Sequence, residues 1–156
     1  MTILIIFYSR TGTTKTVANF LSKNISCDSE EIFDTKNRKG FFGYLKSGKD
    51  AMMKKLTILE KIDKDPGSYE LIVIGTPIWA SNMSTPIRTY IVENKEKFKR
   101  VAFFCTEGGR GGKKCFERMT ELCDKDPVAT LEINSKDIKS ETYLEKVKEF
   151  TNELKK

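Results

Sequence analysis

Histidine is absent from this sequence, and its absence excludes several classes of enzyme. Without an imidazole there is no histidine general base, no Ser-His-Asp or Cys-His hydrolytic site, and few ways to build a zinc site. Chemistry must then come from carboxylates, lysine, cysteine or a borrowed cofactor, and we expect a cofactor.

Long apolar runs are also missing. The longest, residues 3–8, is far too short to span a membrane and follows no basic segment, so we expect neither membrane insertion nor a secretory signal. The four cysteines show no C-x-x-C spacing, and most lie among apolar neighbours. We interpret them as reduced, buried thiols, which are typical of a cytoplasmic protein.

Positive charge is in excess, with 28 lysines and arginines against 22 acidic residues and a formal net charge of +6. This sign favours an acidic partner or a polyanion. The charges are spread along the chain, and no nucleic-acid-binding motif accompanies them. We therefore predict no nucleic-acid role.

The length of 156 residues fits one domain, residues 1–156, because no repeat or linker divides it. Three continuous apolar runs, at residues 3–8, 71–74 and 101–105, predict strands that are buried on both faces. Two runs of mixed polarity, at residues 30–33 and 128–133, predict edge strands.

Amphipathic stripes between these runs predict helices. Their apolar members are Val17, Ala18, Leu21 and Ile25, then Ile87, Tyr90 and Ile91, then Cys115, Phe116, Met119, Leu122 and Cys123, and finally Tyr143, Leu144, Val147, Phe150 and Leu154. The alternation of strands and helices predicts an α/β domain with a doubly wound parallel sheet and helices on both faces.

Residues 36–56 allow two interpretations. Phe41, Leu45, Met52 and Leu56 share one helical face, which predicts an amphipathic helix that covers the sheet. The same segment is rich in lysine, so a basic docking surface for an acidic redox partner is the alternative. We favour the covering helix.

The loops that follow the three buried strands are the candidate binding loops, because ligands of doubly wound sheets bind at the carboxyl ends of strands. They are residues 9–14, 76–83 and 106–112. All three are rich in hydroxyl groups, glycine or small side chains, and the second contains the single tryptophan, Trp79.

The first loop predicts an anion site. It carries hydroxyl groups on Ser9, Thr11, Thr13 and Thr14 around Gly12, directly before a predicted helix. Hydroxyl groups and free N–H groups at a helix N-terminus bind phosphate without a lysine, and glycine lets the backbone approach closely. A capped turn is the alternative, but a cap needs only one of these hydroxyl groups.

The run Tyr8-Ser9-Arg10-Thr11-Gly12-Thr13-Thr14 resembles the phosphate loop of flavodoxins, (S/T)-x-T-G-x-T. Residues 75–79 and 106–109 occupy the positions of that family's two ring-binding loops, and the resemblance extends over essentially the whole chain. It implies a five-stranded sheet of order 2-1-3-4-5, noncovalently bound FMN, and electron transfer between redox partner proteins.

The resemblance also implies the cofactor-binding residues. The first loop would hold the FMN phosphate, Trp79 would pack against the isoalloxazine ring, and backbone groups of the other two loops would meet its polar edge. The predicted residues are Ser9, Arg10, Thr11, Gly12, Thr13, Thr14, Pro77, Ile78, Trp79, Ala80, Ser81, Asn82, Thr106, Glu107, Gly108, Gly109 and Gly112. No catalytic residue and no metal site is predicted.

Two features leave alternatives open. Trp79 could instead anchor its loop at the edge of the core. The third loop lacks an aromatic residue, so one face of the ring is predicted to be open and lined by Arg110. An open face would admit small donors or acceptors, and an FMN-dependent NAD(P)H reductase acting on a quinone is therefore the alternative to an electron carrier. A module without cofactor is a third possibility, which the intact hydroxyl set disfavours.

Overall fold

Five parallel strands run side by side through the middle of the molecule. The computed structural model describes residues 1–156, and its strands in chain order are β1 (Ile3–Phe7), β2 (Asp28–Glu31), β3 (Leu71–Trp79), β4 (Asn82–Met83), β5 (Val101–Glu107) and β6 (Pro127–Asn134). The sheet order is β2-β1-β3-β5-β6, with the two-residue β4 antiparallel to the end of β3. Counting the parallel strands alone, this is the predicted order 2-1-3-4-5.

The central strands are the ones predicted from continuous apolar runs. Every residue of β1 is buried, as are the first six residues of β3 and of β5, because helices cover both faces of the sheet. The outer strand β6 alternates between buried and exposed residues. The other outer strand, β2, lies two residues earlier than predicted, and β3 continues five residues beyond its predicted end.

There are six α-helices, of which the first four lie between strands and the last two follow β6: α1 (Thr13–Ile25), α2 (Gly40–Met52), α3 (Thr85–Asn94), α4 (Gly112–Cys123), α5 (Ser135–Lys139) and α6 (Tyr143–Leu154). Short 3₁₀ turns occur at Pro66–Ser68 and Lys95–Lys97. Helices α1 and α6 pack with one face of the sheet in one apolar cluster, and α3 and α4 pack with the opposite face in another. None of the helices combines the length and the apolar character needed to cross a membrane.

Three of the four cysteines agree with their interpretation from the sequence. All four are free thiols, Cys105, Cys115 and Cys123 are buried, and Cys27 is partly buried. Cys115 and Cys123 belong to the apolar cluster that contains α3 and α4. Burial raises the pKa of Cys115 and of Cys123 to about 12, so these side chains act as small apolar packing groups.

Helix α2 exists, but the prediction that its apolar face covers the sheet is wrong. The predicted inward residues are instead exposed: Phe41 by 69 %, Leu45 by 51 %, Met52 by 67 % and Leu56 by 50 %. The buried residues of the helix are the small or polar Gly43, Ser47, Asp50 and Ala51.

A buried arginine accounts for this inversion. Arg38 is 3 % exposed, and it donates hydrogen bonds from Nε to Asp34 (2.8 Å) and from Nη1 to Asp50 (3.1 Å). A buried guanidinium requires such partners, and α2 provides one of them from its inner face. Gly43 on the same face packs against the backbone of Arg38, where a Cβ atom would clash. The pattern of apolar residues could not predict that the inner face of α2 consists of small and polar residues that pack around a buried charge.

Gly75 in β3 is a packing constraint that can be tested. A Cβ atom at this position would overlap the ring of the fully buried Phe104. We expect Gly75→Ala to lower the free energy of unfolding by about 1–3 kcal/mol, the usual cost of overpacking a core. Urea denaturation followed by circular dichroism measures this change.

Gly48→Ala is the matched control, because a Cβ atom there would contact nothing within 4 Å. It lies inside α2, where replacing glycine by alanine stabilises a helix by roughly 0.5–1 kcal/mol. Equal losses of stability in the two variants would contradict the packing argument.

Candidate functional site

The three candidate loops meet at the carboxyl edge of the sheet. Together with α2 and the start of α5 they form a cleft of about 240 Å³, which we call the central cleft. Its lining residues are Arg10, Thr11, Thr13, Thr14, Tyr44, Pro77, Ile78, Trp79, Thr106, Glu107, Gly108 and Ser135. Ten of the predicted cofactor-binding residues are thus brought to one place.

The first loop is shaped by Gly12. Its φ of 102° lies in the region that favours glycine, and it directly precedes α1. The hydroxyl oxygen of Ser9 accepts hydrogen bonds from the N–H groups of Gly12 (3.1 Å) and Lys15 (3.2 Å). The first N–H groups of α1 have no acceptor within the helix and face the same end of the loop. Exposed Thr11 and Thr13 add hydroxyl groups at the mouth of the cleft.

Thr14 has a different position from the other threonines. It is 1 % exposed, and its Oγ1 lies 2.7 Å from Oγ1 of Thr106 in the third loop. This buried hydrogen bond connects the first and third loops at the base of the central cleft, so it fixes the distance between them.

The second loop is shorter than predicted because β3 runs on to Trp79. Only Ala80 and Ser81 remain between the paired residues Trp79 and Asn82, with φ values of 50° and 58°. Two left-handed residues between antiparallel strands correspond to a type I′ turn, which usually contains Gly or Asn. The carbonyl of Ser81 accepts a hydrogen bond from Arg118 (2.8 Å), which holds this turn against α4.

Asn82 serves the structure of the second loop. It is 1 % exposed, donates a hydrogen bond to the carbonyl of Ala51 (3.2 Å) and accepts one from Nη2 of Arg88 (2.8 Å). Neither Asn82 nor its neighbours Ala80 and Ser81 line the central cleft.

Trp79 belongs to a strand and to the apolar core, contrary to its predicted place in a loop. It is 6 % exposed and packs edge-on against Tyr8, with ring centroids 5.5 Å apart. The guanidinium of Arg38 lies over the indole at 5.2 Å. The position agrees with the alternative of an anchor at the core edge, and part of the ring borders the central cleft.

Tyr44 on α2 is a lining residue that the sequence interpretation missed. Its ring is 59 % exposed and borders the central cleft, and the guanidinium of Arg10 lies 5.5 Å from the ring centroid. Arg10 also reaches the carbonyl of Arg38 (3.5 Å), so the first loop is in contact with the segment before α2. The only available signal was that Tyr44 fell outside the predicted buried face.

The third loop separates the central cleft from a second, which we call the outer cleft. This one has a volume of about 560 Å³ and is lined by Glu107, Gly109, Arg110, Gly111, Gly112, Lys113, Lys114, Glu117, Glu132 and Asn134. Glu107 borders both clefts, whereas Gly109, Arg110 and Gly112 border only the outer one. Arg110 therefore lies on the far side of the third loop from Tyr44 and Trp79.

Residues 2–153 match the family model described as flavodoxin. The chain belongs to the flavodoxin family. A comparison with curated proteins found no match.

Solved structures of flavodoxin-like proteins show the same fold. A flavoprotein from Lactobacillus acidophilus, determined in complex with FMN, has a TM-score of 0.72 and 24% identity, covering 91% of this chain and 97% of its own. A WrbA-like flavodoxin from Agrobacterium tumefaciens has a TM-score of 0.60 and 12% identity, and the match covers 97% of this chain and 95% of the other. A flavodoxin from the domain Archaea has a TM-score of 0.57 and 16% identity, and the match covers 100% of both chains. At these identities the likeness is one of fold alone.

Within this flavodoxin fold, Glu107 is the carboxyl group with the most altered titration. Burial raises the pKa of Glu107 to about 7, and the nearby carboxylate of Glu132 acts in the same direction. Its Oε2 atom is buried and has no hydrogen-bond partner. A carboxyl group with this pKa is partly protonated at neutral pH, and it lies at the boundary of the two clefts.

Glu107→Gln tests this assignment through stability. Because the folded state of the native chain keeps a proton that the unfolded state releases above the ordinary pKa of 4.5, native stability falls as pH rises through the interval from 4.5 to about 7. We expect the glutamine variant to lose this part of the pH dependence. Urea denaturation of both proteins at intervals across this range measures it.

Glu121→Gln removes an exposed carboxyl group of α4 and serves as the control. Its pH profile should follow that of the native chain. A Glu107→Gln profile that also parallels the native one would mean that Glu107 is ionised throughout the interval.

Proposed function

We propose that this flavodoxin-family chain binds FMN noncovalently and carries electrons between redox proteins. The observation that carries the proposal is the first loop: hydroxyl groups and helix N–H groups converge at the end of a cleft that has aromatic side chains at its border. This combination suits a ligand with a phosphate at one end and a flat ring at the other.

The donor set fits the phosphate. Thr11 and Thr13 present exposed hydroxyl groups, and the left-handed Gly12 keeps the backbone open for close approach. Ser9 accepts hydrogen bonds from the N–H groups of Gly12 in the loop and Lys15 in the first turn of α1, which holds the loop against the helix. The dipole of α1 favours negative charge at the same place.

The remainder of the central cleft fits an aromatic ring. Pro77, Ile78 and the border of Trp79 supply apolar surface from β3, and Tyr44 supplies an aromatic side chain from α2. Tyr44 thus provides the ring surface that the third loop lacks. Gly108 leaves the backbone of that loop accessible at the cleft.

FMN, when bound, supplies reversible electron transfer, and the chain supplies the surroundings. The first loop would hold the phosphate, while the pair Thr14–Thr106 keeps the loops at a fixed separation. Glu107 would hold a proton at the edge of the cleft near neutral pH. The flavoprotein from Lactobacillus acidophilus, which was crystallised with FMN, supports the choice of cofactor.

Thr11→Ala tests the phosphate site. Loss of a hydrogen bond to a charged group costs about 1.5–3 kcal/mol, so we expect the Kd for FMN to rise roughly tenfold to a hundredfold. Quenching of flavin fluorescence during titration of the FMN-free protein measures the Kd. Because Thr11 is exposed, the variant should remain folded.

Ser22→Ala is the control, since its hydroxyl group bonds to Asn19 at the far end of α1. It should bind FMN as the native chain does. Absence of saturable quenching in the native protein, or equal affinity of the Thr11 and Ser22 variants, would contradict the proposal.

An FMN-dependent NAD(P)H reductase is the second candidate, and the outer cleft favours it. Arg110, Lys113 and Lys114 line this cleft next to Glu107, where they would attract the phosphates of a nicotinamide dinucleotide. For a carrier we expect purified FMN-loaded protein to oxidise NADPH with menadione at less than about 1 per second, the low end of enzymatic turnover. Absorbance at 340 nm follows the reaction, and faster turnover would select the reductase.

A further inference from the structure

The segment from α2 to residue 58 exposes an unusual amount of apolar surface. We define the α2 face by its large apolar side chains, which are 50–84 % exposed: Phe41, Phe42, Leu45, Met52, Met53, Leu56 and Ile58. Most of the protein's exposed large apolar side chains are in this one segment. Soluble monomers rarely keep apolar patches of this kind in water, and phenylalanine and methionine are enriched at protein interfaces.

The charge of the α2 face has one sign. Exposed lysines accompany the apolar side chains at positions 39, 46, 49, 54 and 55. The only acidic residue between positions 36 and 59 is Asp50, which is 3 % exposed and bound to Arg38. The surface is therefore positive and apolar at once, and it complements a negative surface that contains apolar side chains.

The arrangement of these groups favours a protein over a membrane as the occupant. A helix that lies in a membrane surface separates its apolar side from its basic side. In α2, at 100° per residue, Lys49 falls between Leu45 and Phe42 around the helix axis. The opposite side of the helix, with Gly43 and Asp50, packs inward. Mixed apolar and charged groups are typical of a protein interface.

The α2 face is also next to the candidate cofactor site. Tyr44 lies on the same helix as Phe41 and Phe42, and it borders the central cleft beside Arg10. A protein that docks on α2 would therefore cover the mouth of the cleft, where electrons would enter or leave.

We propose that the α2 face is the docking surface for an acidic redox protein, with lysines that guide the encounter and apolar side chains that hold the complex. This inference rests on the proposed electron-transfer function, and it names the partner's chemistry: negative charge around an apolar centre.

The test measures binding of an acidic [2Fe–2S] ferredoxin by calorimetry, with FMN-loaded and FMN-free protein. At about 20 mM salt we expect saturable binding, and at about 0.5 M salt, where the Debye length is only a few ångströms, we expect a strong loss of affinity. The double variant Lys46→Glu/Lys49→Glu should weaken binding about tenfold or more. Phe41→Ser/Phe42→Ser should weaken it as well, and the loss should persist at high salt.

Lys148→Glu/Lys155→Glu is the matched control, because it changes the net charge equally at two exposed positions, in α6 and directly after it, on the other face of the sheet. It should keep its affinity for the ferredoxin. Absence of ferredoxin binding, or equal weakening by the two charge reversals, would overturn the proposal. So would tighter binding to vesicles of equal parts phosphatidylglycerol and phosphatidylcholine than to the ferredoxin.

The outcome separates this proposal from the function on which it rests. Native protein that binds FMN but no ferredoxin would disprove the docking surface and leave the cofactor site intact. Native protein that binds ferredoxin but no FMN would retain a docking surface and disprove electron transfer through the central cleft.

Discussion

The carboxyl edge of the sheet, where the candidate binding loops meet, depends on the contacts of the buried Arg38 guanidinium. The guanidinium bonds Asp34 beyond β2 and Asp50 in α2, and it lies over the indole of Trp79 at the end of β3. One charged group thus connects three segments that meet at the carboxyl edge of the sheet. Burying a guanidinium costs free energy unless such partners surround it. Helix α2 is therefore positioned with Asp50 facing Arg38.

The orientation of α2 then determines which of its side chains are exposed to solvent. Because the inner side of the helix accommodates Arg38, its phenylalanines and methionines lie outside and Tyr44 reaches the central cleft. The position of Tyr44 at the central cleft and the exposure of the α2 face are therefore two results of the same inversion. The first loop supplies the proposed phosphate end of the site, and α2 supplies Tyr44 at the opposite border.

The sequence predicted the features that depend on apolar runs and on turn chemistry. Continuous β-branched and aromatic runs identified β1, β3 and β5. The hydroxyl groups before α1, together with the electrostatics of a helix N-terminus, marked the first loop as a candidate anion site. The sequence could not predict α2's orientation, because a buried ion pair reverses the meaning of an amphipathic pattern. Nor could it place Trp79 in a strand, since Ala80 and Ser81 carry none of the usual signals of a type I′ turn.

That turn has a mechanical consequence. Each left-handed residue with a side chain costs roughly 1–2 kcal/mol, and here β4 pairing and the Arg118 hydrogen bond keep two of them in place. Glycine would allow the intervening peptide plane to rotate cheaply, whereas alanine and serine resist rotation. The end of β3 beside Trp79 is therefore held more rigidly than a glycine-containing turn would hold it.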